Sequence, residues 1–415
     1  MKGNKLFNFL CFLLIFPFCS IFSISLSFYV FLSMLFFFNY NINFSINKYN
    51  YNFILFGVIV IISSILVFRV SEYQTAINPT TLLVTLVRYL YWVLVSLFVI
   101  TNFNKLNLLI ISKYFFLGTL CLISCFYFFD NNYSLTFIDF KLDTPRNFFI
   151  YTLIISLPFS FFYLYQKFKK RGIFFGSIFF SLTVLLTNGR AGTIIVFIQI
   201  LLILGIVYPK IKNFLTIFLL STTFAFYIFS FNIDSTMERF GNNISVISPR
   251  ISDLILSEND GDLSLDKSWL IRKLMIDKGK EIASNYPIFG IGPNNFNNYS
   301  ADINSYNEIQ RLSGRSKSFY NELSAHNSYI QILAEFGIFG FGLFITIIFL
   351  VNLFFLRNLF SSKLSMNSVP LISLLGISIQ FYVISSITGA ISWFIISLAW
   401  MLYKTKSSNF IKSDL

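Results

Sequence analysis

The sequence predicts an all-α polytopic membrane protein with about twelve transmembrane helices and one large extracytoplasmic loop between helices 9 and 10. Of the 415 residues, 56% are hydrophobic, 20% are aromatic and only 12% are charged, whereas soluble domains carry about 25% charged residues. The apolar runs reach roughly 17 to 25 residues, long enough as helices to cross a hydrocarbon core of about 30 Å. Because these runs are continuous rather than alternating, helices are favoured over barrel strands.

Ten apolar runs are predicted to cross the membrane, and a longer first stretch adds two short crossings. The stretch from Leu6 to Phe38 is too long for one helix, and its serine-rich middle predicts a tight hairpin of two helices. The opening MKGNK resembles a secretory signal, but no small-residue cleavage site follows, so we expect it to be retained. The ten runs lie at residues 51–68, 82–101, 106–129, 147–165, 173–187, 191–208, 212–231, 338–356, 369–386 and 389–403.

These crossings divide the chain into residues 1–231 with nine helices, residues 232–327 as an extracytoplasmic loop with short helices, and residues 328–415 with three helices and a cytoplasmic tail. One set of connections carries the excess of basic residues that is typical of cytoplasmic loops. The alternate set balances its basic residues, Arg69, Lys141, Arg146 and Arg190, with acidic ones. The net charge of +13 therefore indicates membrane topology and not nucleic-acid binding. The cytoplasmic set comprises Lys2, Lys5, Lys48, Lys105, Lys167, Lys169, Lys170, Arg171, Lys210, Lys212, Arg357, Lys363, Lys404, Lys406 and Lys412, opposed only by Asp414.

The cysteines indicate neither a disulfide nor a metal site. All of them, Cys11, Cys19, Cys121 and Cys125, fall within apolar runs, where cysteine usually serves as a small apolar residue. The GxG at residues 290–292 has no strand before it, so a dinucleotide loop is not expected. We expect no metal and no cofactor.

The outer loop is where the sequence predicts chemistry, because long loops in compact proteins tend to be functional. Residues 232–327 hold twelve acidic and ten basic residues, so the loop is not a simple anchor for anionic lipid. Residues 268–285 read as an amphipathic helix, with Leu270, Leu274 and Ile282 on one face and Lys278 at its edge. The prolines and glycines of NYPIFGIGPNNF then predict turns.

His326, the only histidine of the chain, lies at the end of this loop, where the loop meets the next apolar segment. An imidazole with a pKa near 6.5 is suited to take a proton from a hydroxyl at neutral pH; alternatively, His326 is an interfacial residue at a helix boundary. Arg190 lies in a short outer turn, Arg272 lies in the loop helix, and Arg250 is a weaker candidate. Because guanidinium groups grip diphosphate oxygens in pairs, these residues indicate a lipid diphosphate donor and a hydroxyl acceptor.

Three stretches carry a family resemblance. The run that begins with His326 and Asn327 and continues through nine residues to Gly337 and Gly340 resembles the signature of the bacterial O-antigen ligase and polymerase superfamily. The turn LTNGRAG resembles that family's short arginine turn, and SWLIRKLMIDKGKEIASNYPIFGIGPNNF resembles its loop helix with the following turn. The resemblance covers roughly residues 175–345.

The resemblance implies a GT-C-like, metal-independent, inverting glycosyltransferase of the bacterial inner membrane, with its active site facing the periplasm or cell exterior. Such enzymes move a glycan from an undecaprenyl-diphosphate donor to a sugar hydroxyl of a glycan acceptor in the lipid bilayer. By carry-over, Arg190 and Arg272 hold the diphosphate, His326 is the base, and Arg250 and Asn327 are expected to help bind substrate. A chain-length regulator is a further expected partner.

Two alternatives remain open beside an O-antigen or capsule repeat-unit polymerase. The first is an O-antigen ligase that attaches the glycan to the lipid A core; the AT-rich composition, typical of polysaccharide gene clusters, favours the polymerase. The second is a transporter of the lipid-linked sugar, which would place ionisable groups near the membrane midplane. The midplane candidates are Arg88 and Glu335, for which helix packing or snorkelling is the alternative reading.

Overall fold

A computed structural model describes residues 19–21, 24–25, 46–67, 79–128, 134–135, 140–142, 146–185, 190–208, 267–299, 325–360, 366–382 and 390–405. In these residues the fold is helical, as predicted, apart from one small sheet. The predicted crossing at 212–231 lies outside the described residues, as does Cys11. The helices are α1 (Tyr51–Val67), α2 (Pro79–Asn102), α3 (Leu108–Phe128), α4 (Arg146–Leu185), α5 (Arg190–Val207), α6 (Lys267–Asn285), α7 (Ser328–Phe360), α8 (Val369–Gln380) and α9 (Ala390–Thr405).

The apolar helices support the prediction of a membrane protein. Among the described residues, two helical stretches are long and apolar enough to cross a membrane, Phe149–Leu185 and Ser328–Leu359. Five shorter apolar helices accompany them. The total of about twelve crossings and the division into three regions stay predictions.

One small sheet accompanies the predicted helices. Its strands are β1 (Cys19–Ile21), β2 (Ile24–Ser25), β3 (Ser134–Leu135) and β4 (Phe140–Leu142), and their order is β2-β1-β4-β3 with antiparallel pairs throughout. The chain therefore reverses in the serine-rich middle of the first stretch, as predicted, and does so between paired strands, with Cys19 in β1. The two short helices predicted on either side of this turn lie outside the described residues. Serine hydroxyls compete for backbone hydrogen bonds and so weaken a helix, and strand pairing satisfies the same groups.

Helix α4 contains the two predicted crossings at 147–165 and 173–187, which meet at a single residue. Lys169 has non-helical angles (φ 52°, ψ −139°), and we call residues 146–168 α4a and residues 170–185 α4b. The rings of Phe161 and Phe180 have centroids 5.5 Å apart, whereas a straight helix would separate these residues by about 28 Å. The chain therefore folds back at Lys169, with almost no connecting loop.

Helix α7 is broken in a similar way at Gly337 (φ 62°, ψ −164°). We call residues 328–336 α7a and residues 338–360 α7b. The ring centroids of Tyr329 and Phe344 are 6.0 Å apart, against about 22 Å in a straight helix. The predicted crossing at 338–356 corresponds to α7b. The sequence indicated a helix between His326 and Gly337 as well, but not the break at Gly337 that separates the two.

Aromatic packing joins the central helices. Trp92 of α2 stacks on Trp393 of α9, with ring centroids 5.9 Å apart, and Phe56 of α1 contacts both Trp393 and Phe336. Such aromatic pairs stabilise a fold by about 0.5–1.5 kcal/mol beyond the burial of their area. This cluster fixes α7a against the bundle.

Contacts near the helix ends show which ends lie together. The Lys404 ammonium lies 5.7 Å from the centre of the Tyr51 ring, and Phe354 contacts Tyr403. The end of α9, the beginning of α1 and the last part of α7b therefore share one end of the bundle. Ser63, near the other end of α1, donates to the carbonyl of Phe289 in the turn after α6. The side of the membrane on which each end lies stays a prediction.

Candidate functional site

The loop helix predicted at residues 268–285 is confirmed as α6. Leu274 and Ile282 of its predicted apolar face are buried, with 1% and 0% of their surface exposed. The face packs on α7a, and a Cβ atom at Gly279 would lie 2.0 Å from Cγ2 of Ile330. Glycine at this position allows α6 to approach the beginning of α7a closely.

Lys278 corrects one detail of that face. It was expected at the edge, but it is fully buried, and its ammonium lies 5.0 Å from the centre of the Phe296 ring. Burial lowers the pKa of Lys278 from 10.5 to about 8, against an opposing effect of the nearby Glu281 carboxylate. A helical pattern cannot distinguish an edge position from a buried one when the covering turn comes from a later segment.

The turn after α6, residues 286–299, pairs with the break in α7 through main-chain hydrogen bonds. The N–H groups of Ile291 and Gly292 donate to the carbonyls of Ala334 and Glu335 at 3.0 and 2.9 Å. In return, the N–H of Ile338 donates to the carbonyl of Pro287 at 2.8 Å. The break at Gly337 frees these groups from the helix, and the turn satisfies them.

Two glycines make this pairing possible. Gly337 has positive φ, and a Cβ atom there would lie 2.3 Å from the carbonyl oxygen of Ile288. Gly290 (φ 67°) faces the Glu335 main chain, where a Cβ atom would lie 2.4 Å from the carbonyl carbon. Residues with side chains rarely adopt these angles, so the glycine at position 337, in the motif that begins at His326, has a structural cause.

Glu335 connects the same turn to the helix bundle. Its buried carboxylate accepts hydrogen bonds from the Tyr89 hydroxyl at 2.5 Å and from Nε2 of Gln331 at 3.1 Å. It also accepts from the main-chain N–H groups of Asn294 and Phe296. This role in packing is the one expected as the alternative to transport, and its partner Tyr89 was not anticipated because no local pattern marks it.

Asn327 is the N-cap of α7a. Its side-chain oxygen accepts from the N–H groups of Tyr329 and Ile330 at 3.0 and 3.1 Å, which is the standard role of asparagine at this position. The next N–H, of Ser328, donates to the carbonyl of Phe381 at 2.8 Å. This hydrogen bond joins the beginning of α7a to the residue that follows α8. The main chain directly after His326 is therefore held in place.

His326 itself adopts the left-handed conformation (φ 49°). Histidine visits this region more readily than most residues, but positive φ outside glycine is uncommon and costs about 1–3 kcal/mol. The residue is half-buried. Strained conformations cluster at functional sites, where the surrounding structure maintains them.

Arg272 and His326 interact electrostatically. Burial lowers the pKa of the imidazole below 6.5, and the positive charge of Arg272 lowers it further. The structure therefore brings two of the predicted site residues together. At neutral pH the imidazole is therefore neutral and can accept a proton, and the nearby charged group is the guanidinium of Arg272.

The other predicted residues are described less fully. Arg190 is the first residue of α5, but its side chain lies outside the described part, as does the side chain of Arg88 in α2. Arg250 lies wholly outside the described residues. Among the side chains that the structure describes, no group of three or more His, Cys, Asp or Glu residues could hold a metal ion.

Comparison with known proteins identifies the region that contains this site. Residues 175–345 match the family model described as O-Antigen ligase. No curated protein matches the chain. The matched residues include α6, the glycine turn and His326, which are the stretches that carried the resemblance in the sequence. The resemblance is thereby confirmed over residues 175–345, which match the model of this family.

Proposed function

We propose that the protein is a membrane glycosyltransferase that moves a glycan from an undecaprenyl-diphosphate donor to a sugar hydroxyl, as an O-antigen or capsule repeat-unit polymerase. Glycosyl transfer of the ligase or polymerase type, with a lipid-linked donor and a glycan acceptor in a membrane, is what the family implies. The observation that carries the proposal is the pairing of His326, a half-buried base, with the cation of Arg272.

The proposed reaction is a single displacement. The acceptor hydroxyl attacks the anomeric carbon while the bond from that carbon to the diphosphate oxygen breaks, so the configuration inverts. The hydroxyl proton passes to a ring nitrogen of His326 and then to water, and undecaprenyl diphosphate leaves. Positively charged donors aimed at the leaving group stabilise the charge that develops on it.

The arginines act on the diphosphate in this scheme. Arg272 is half-buried beside His326, and a guanidinium can donate to two phosphate oxygens at once. Arg190 is proposed as the second grip, and its place at the beginning of α5 adds the free N–H groups of a helix N-terminus, which favour anions. Arg250 and the side-chain nitrogen of Asn327 are proposed to contact substrate.

The positive charge of Arg272 also lowers the pKa of His326, the proposed base. With its pKa lowered, His326 is unprotonated at neutral pH and accepts the hydroxyl proton directly. No metal is needed in this mechanism, because the arginines provide the positive charge. We further propose that the site faces the periplasm or cell exterior and that a chain-length regulator acts with the enzyme.

An O-antigen ligase, which would deliver the glycan to the lipid A core, is the second candidate. It is supported by the description of the matching family, O-Antigen ligase. The two functions share donor and chemistry and differ in the acceptor. Purified protein given lipid-linked repeat units alone distinguishes them, because a polymerase lengthens the chains and a ligase requires lipid A core.

The test of the proposed function is that purified protein in detergent transfers glycan from a lipid diphosphate donor. A transporter would show no transfer. Arg190→Lys is expected to fail almost as badly as Arg190→Ala, because lysine keeps the charge but loses the planar fork. Arg357→Ala, in the last turn of α7, is the matched control and should transfer normally. Full activity of Arg190→Lys would contradict the diphosphate role.

A further inference from the structure

The fold-back of α4 borders an open cavity of about 670 Å³ between α3 and the two arms of α4. Phe116 and Leu120 of α3 and Phe175 and Phe179 of α4b contribute to its apolar wall, and Lys167, Lys169 and Arg171 also line it. We propose that this cavity binds an anionic glycerophospholipid, with the phosphate at the three basic side chains and an acyl chain along the phenylalanines.

Helix geometry builds the cavity. A Cβ atom at Gly172 would lie 2.4 Å from the Leu164 carbonyl oxygen, so the absence of a side chain lets the arms approach each other closely beside the fold-back. Lys169 itself has positive φ, a conformation in which glycine would be less strained. A lysine is therefore present at a position where glycine would be less strained.

The charges that line the cavity are available to a ligand. Lys167, Lys169 and Arg171 are exposed, and within the described part of the chain no carboxylate forms an ion pair with any of them. Lys169 also lies over the Tyr165 ring at 5.8 Å. The fourth cation of the run, Lys170, does not line the cavity and lies over the Tyr208 ring at 5.4 Å. Topology alone explains why this run is basic, but not why three of its four cations converge on one apolar cavity.

The exposed phenylalanines beside the basic side chains of the cavity favour a phospholipid over a free anion. Phe168, Phe175 and Phe179 are large apolar side chains with about half of their surface exposed, as expected where acyl chains replace water. Basic pockets between membrane helices on the cytoplasmic side bind anionic headgroups, and a guanidinium suits a phosphate. With the predicted orientation, the ligand is a lipid of the cytoplasmic leaflet.

This cavity is separate from the proposed transfer site. The Tyr208 hydroxyl, just after α5, donates to the Lys170 carbonyl at 3.1 Å, so the end of α5 lies at the α4 fold-back. Arg190 begins the same helix, and an 18-residue helix is about 27 Å long. The lipid is therefore proposed as a bound component far from the donor diphosphate.

Binding can be measured by native mass spectrometry of the purified full chain in neutral detergent. Phosphatidylglycerol should bind at least ten-fold more tightly than phosphatidylcholine with the same acyl chains. Each basic side chain at an anionic lipid surface contributes about a factor of five, so the double variant Lys167→Gln/Arg171→Gln should lose about thirty-fold of this affinity. Lys170→Gln is the matched control and should bind like the unaltered protein.

The outcomes separate the proposal from its rivals. A loss of about five-fold in Lys170→Gln, the value for any one basic side chain at the lipid surface, would mean a general charge effect and would overturn the cavity site, as would equal binding of the two lipids. Inorganic phosphate and short-chain phosphatidylglycerol should compete weakly, because they lack the long acyl chain. Competition by phosphate at the same concentration as the long-chain lipid would reduce the site to an anion site and contradict the proposal.

Discussion

The guanidinium of Arg272 lies close enough to the imidazole of His326 for its charge to lower the pKa of the histidine. The two residues come from segments separated in the chain, and the close approach of α6 to α7a at Gly279 and Ile330 brings them together. Arg272 can therefore have two roles: it can bind the anionic diphosphate leaving group, and it lowers the pKa of His326.

This relationship predicts the pH dependence of transfer. A base must be unprotonated, so activity falls on acidification through the pKa of His326, which lies below 6.5. Removal of the Arg272 charge raises that pKa, and Arg272→Gln should shift the acid limb of kcat/KM to higher pH. Arg272→Lys keeps the charge and should leave the limb near its original position, although both variants lose turnover. An unshifted limb in Arg272→Gln would contradict the coupling.

The glycine contacts predict a selective loss of stability. Gly337→Ala and Gly290→Ala each place a methyl group within 2.4 Å of main-chain atoms at positive φ, and the backbone conformation alone costs about 1–3 kcal/mol. Both variants should melt at clearly lower temperature in detergent. Gly342→Ala is the matched control in α7b, since nothing lies within 4 Å of its Cβ position. Equal melting temperatures for Gly337→Ala and Gly342→Ala would refute the close docking of the turn.

Glu335 is predicted to maintain the same turn. The Glu335 carboxylate accepts from four donors, and Glu335→Gln replaces one of its oxygens with an NH2 group. A buried donor that lacks an acceptor costs about 1–3 kcal/mol. Tyr89→Phe removes the hydrogen bond from the Tyr89 hydroxyl to the Glu335 carboxylate and should cost about 1 kcal/mol. Thermal unfolding of both single variants and the double variant gives their coupling energy. The mostly exposed Tyr382 provides the control, as Tyr382→Phe should change nothing; additive effects of Tyr89→Phe and Glu335→Gln would argue against a direct bond.

The buried Lys278 predicts a pH dependence of stability. Its pKa in the folded protein is about 8, below the ordinary 10.5, so the unfolded chain binds more protons between these values and stability rises with pH in that window. Relative to Lys278→Met, the unaltered protein should therefore gain in melting temperature from pH 7 to pH 9.5. The exposed Lys280 is the control, because Lys280→Met should follow the unaltered protein across this range.

The sequence was informative where a pattern is local. Continuous apolar runs predicted α1, α2, α3 and α5, and the amphipathic period predicted α6, because burial of one face follows directly from residue spacing. The predicted crossings at 147–165 and 173–187 placed a reversal between them, but neither its reduction to the single residue Lys169 nor the break at Gly337 could be located, since each depends on two arms packing together. Glu335 was noticed as a polar residue in an apolar helix, but its partner Tyr89 is 246 positions away in the chain, and no spacing rule reaches that far.

The last prediction concerns His326, whose backbone conformation determines which substitutions are informative. Because φ is 49°, alanine adds backbone strain of about 1–2 kcal/mol, whereas asparagine adopts this region readily. Asparagine and glutamine both donate and accept hydrogen bonds, yet neither accepts a proton at neutral pH. If His326 is the general base, His326→Asn and His326→Gln should lower turnover by about a hundred- to ten-thousand-fold, as is typical of such groups.

His326→Ala should lose turnover to the same degree and also melt earlier than His326→Asn. Donor binding, measured separately with a lipid diphosphate, should persist in all three variants because Arg272 remains in place. The decisive measurement is glycan transfer by purified protein across pH. Near-normal turnover of His326→Asn would show that the residue only positions the beginning of α7a, as a helix-boundary residue does, and the base would have to be sought elsewhere.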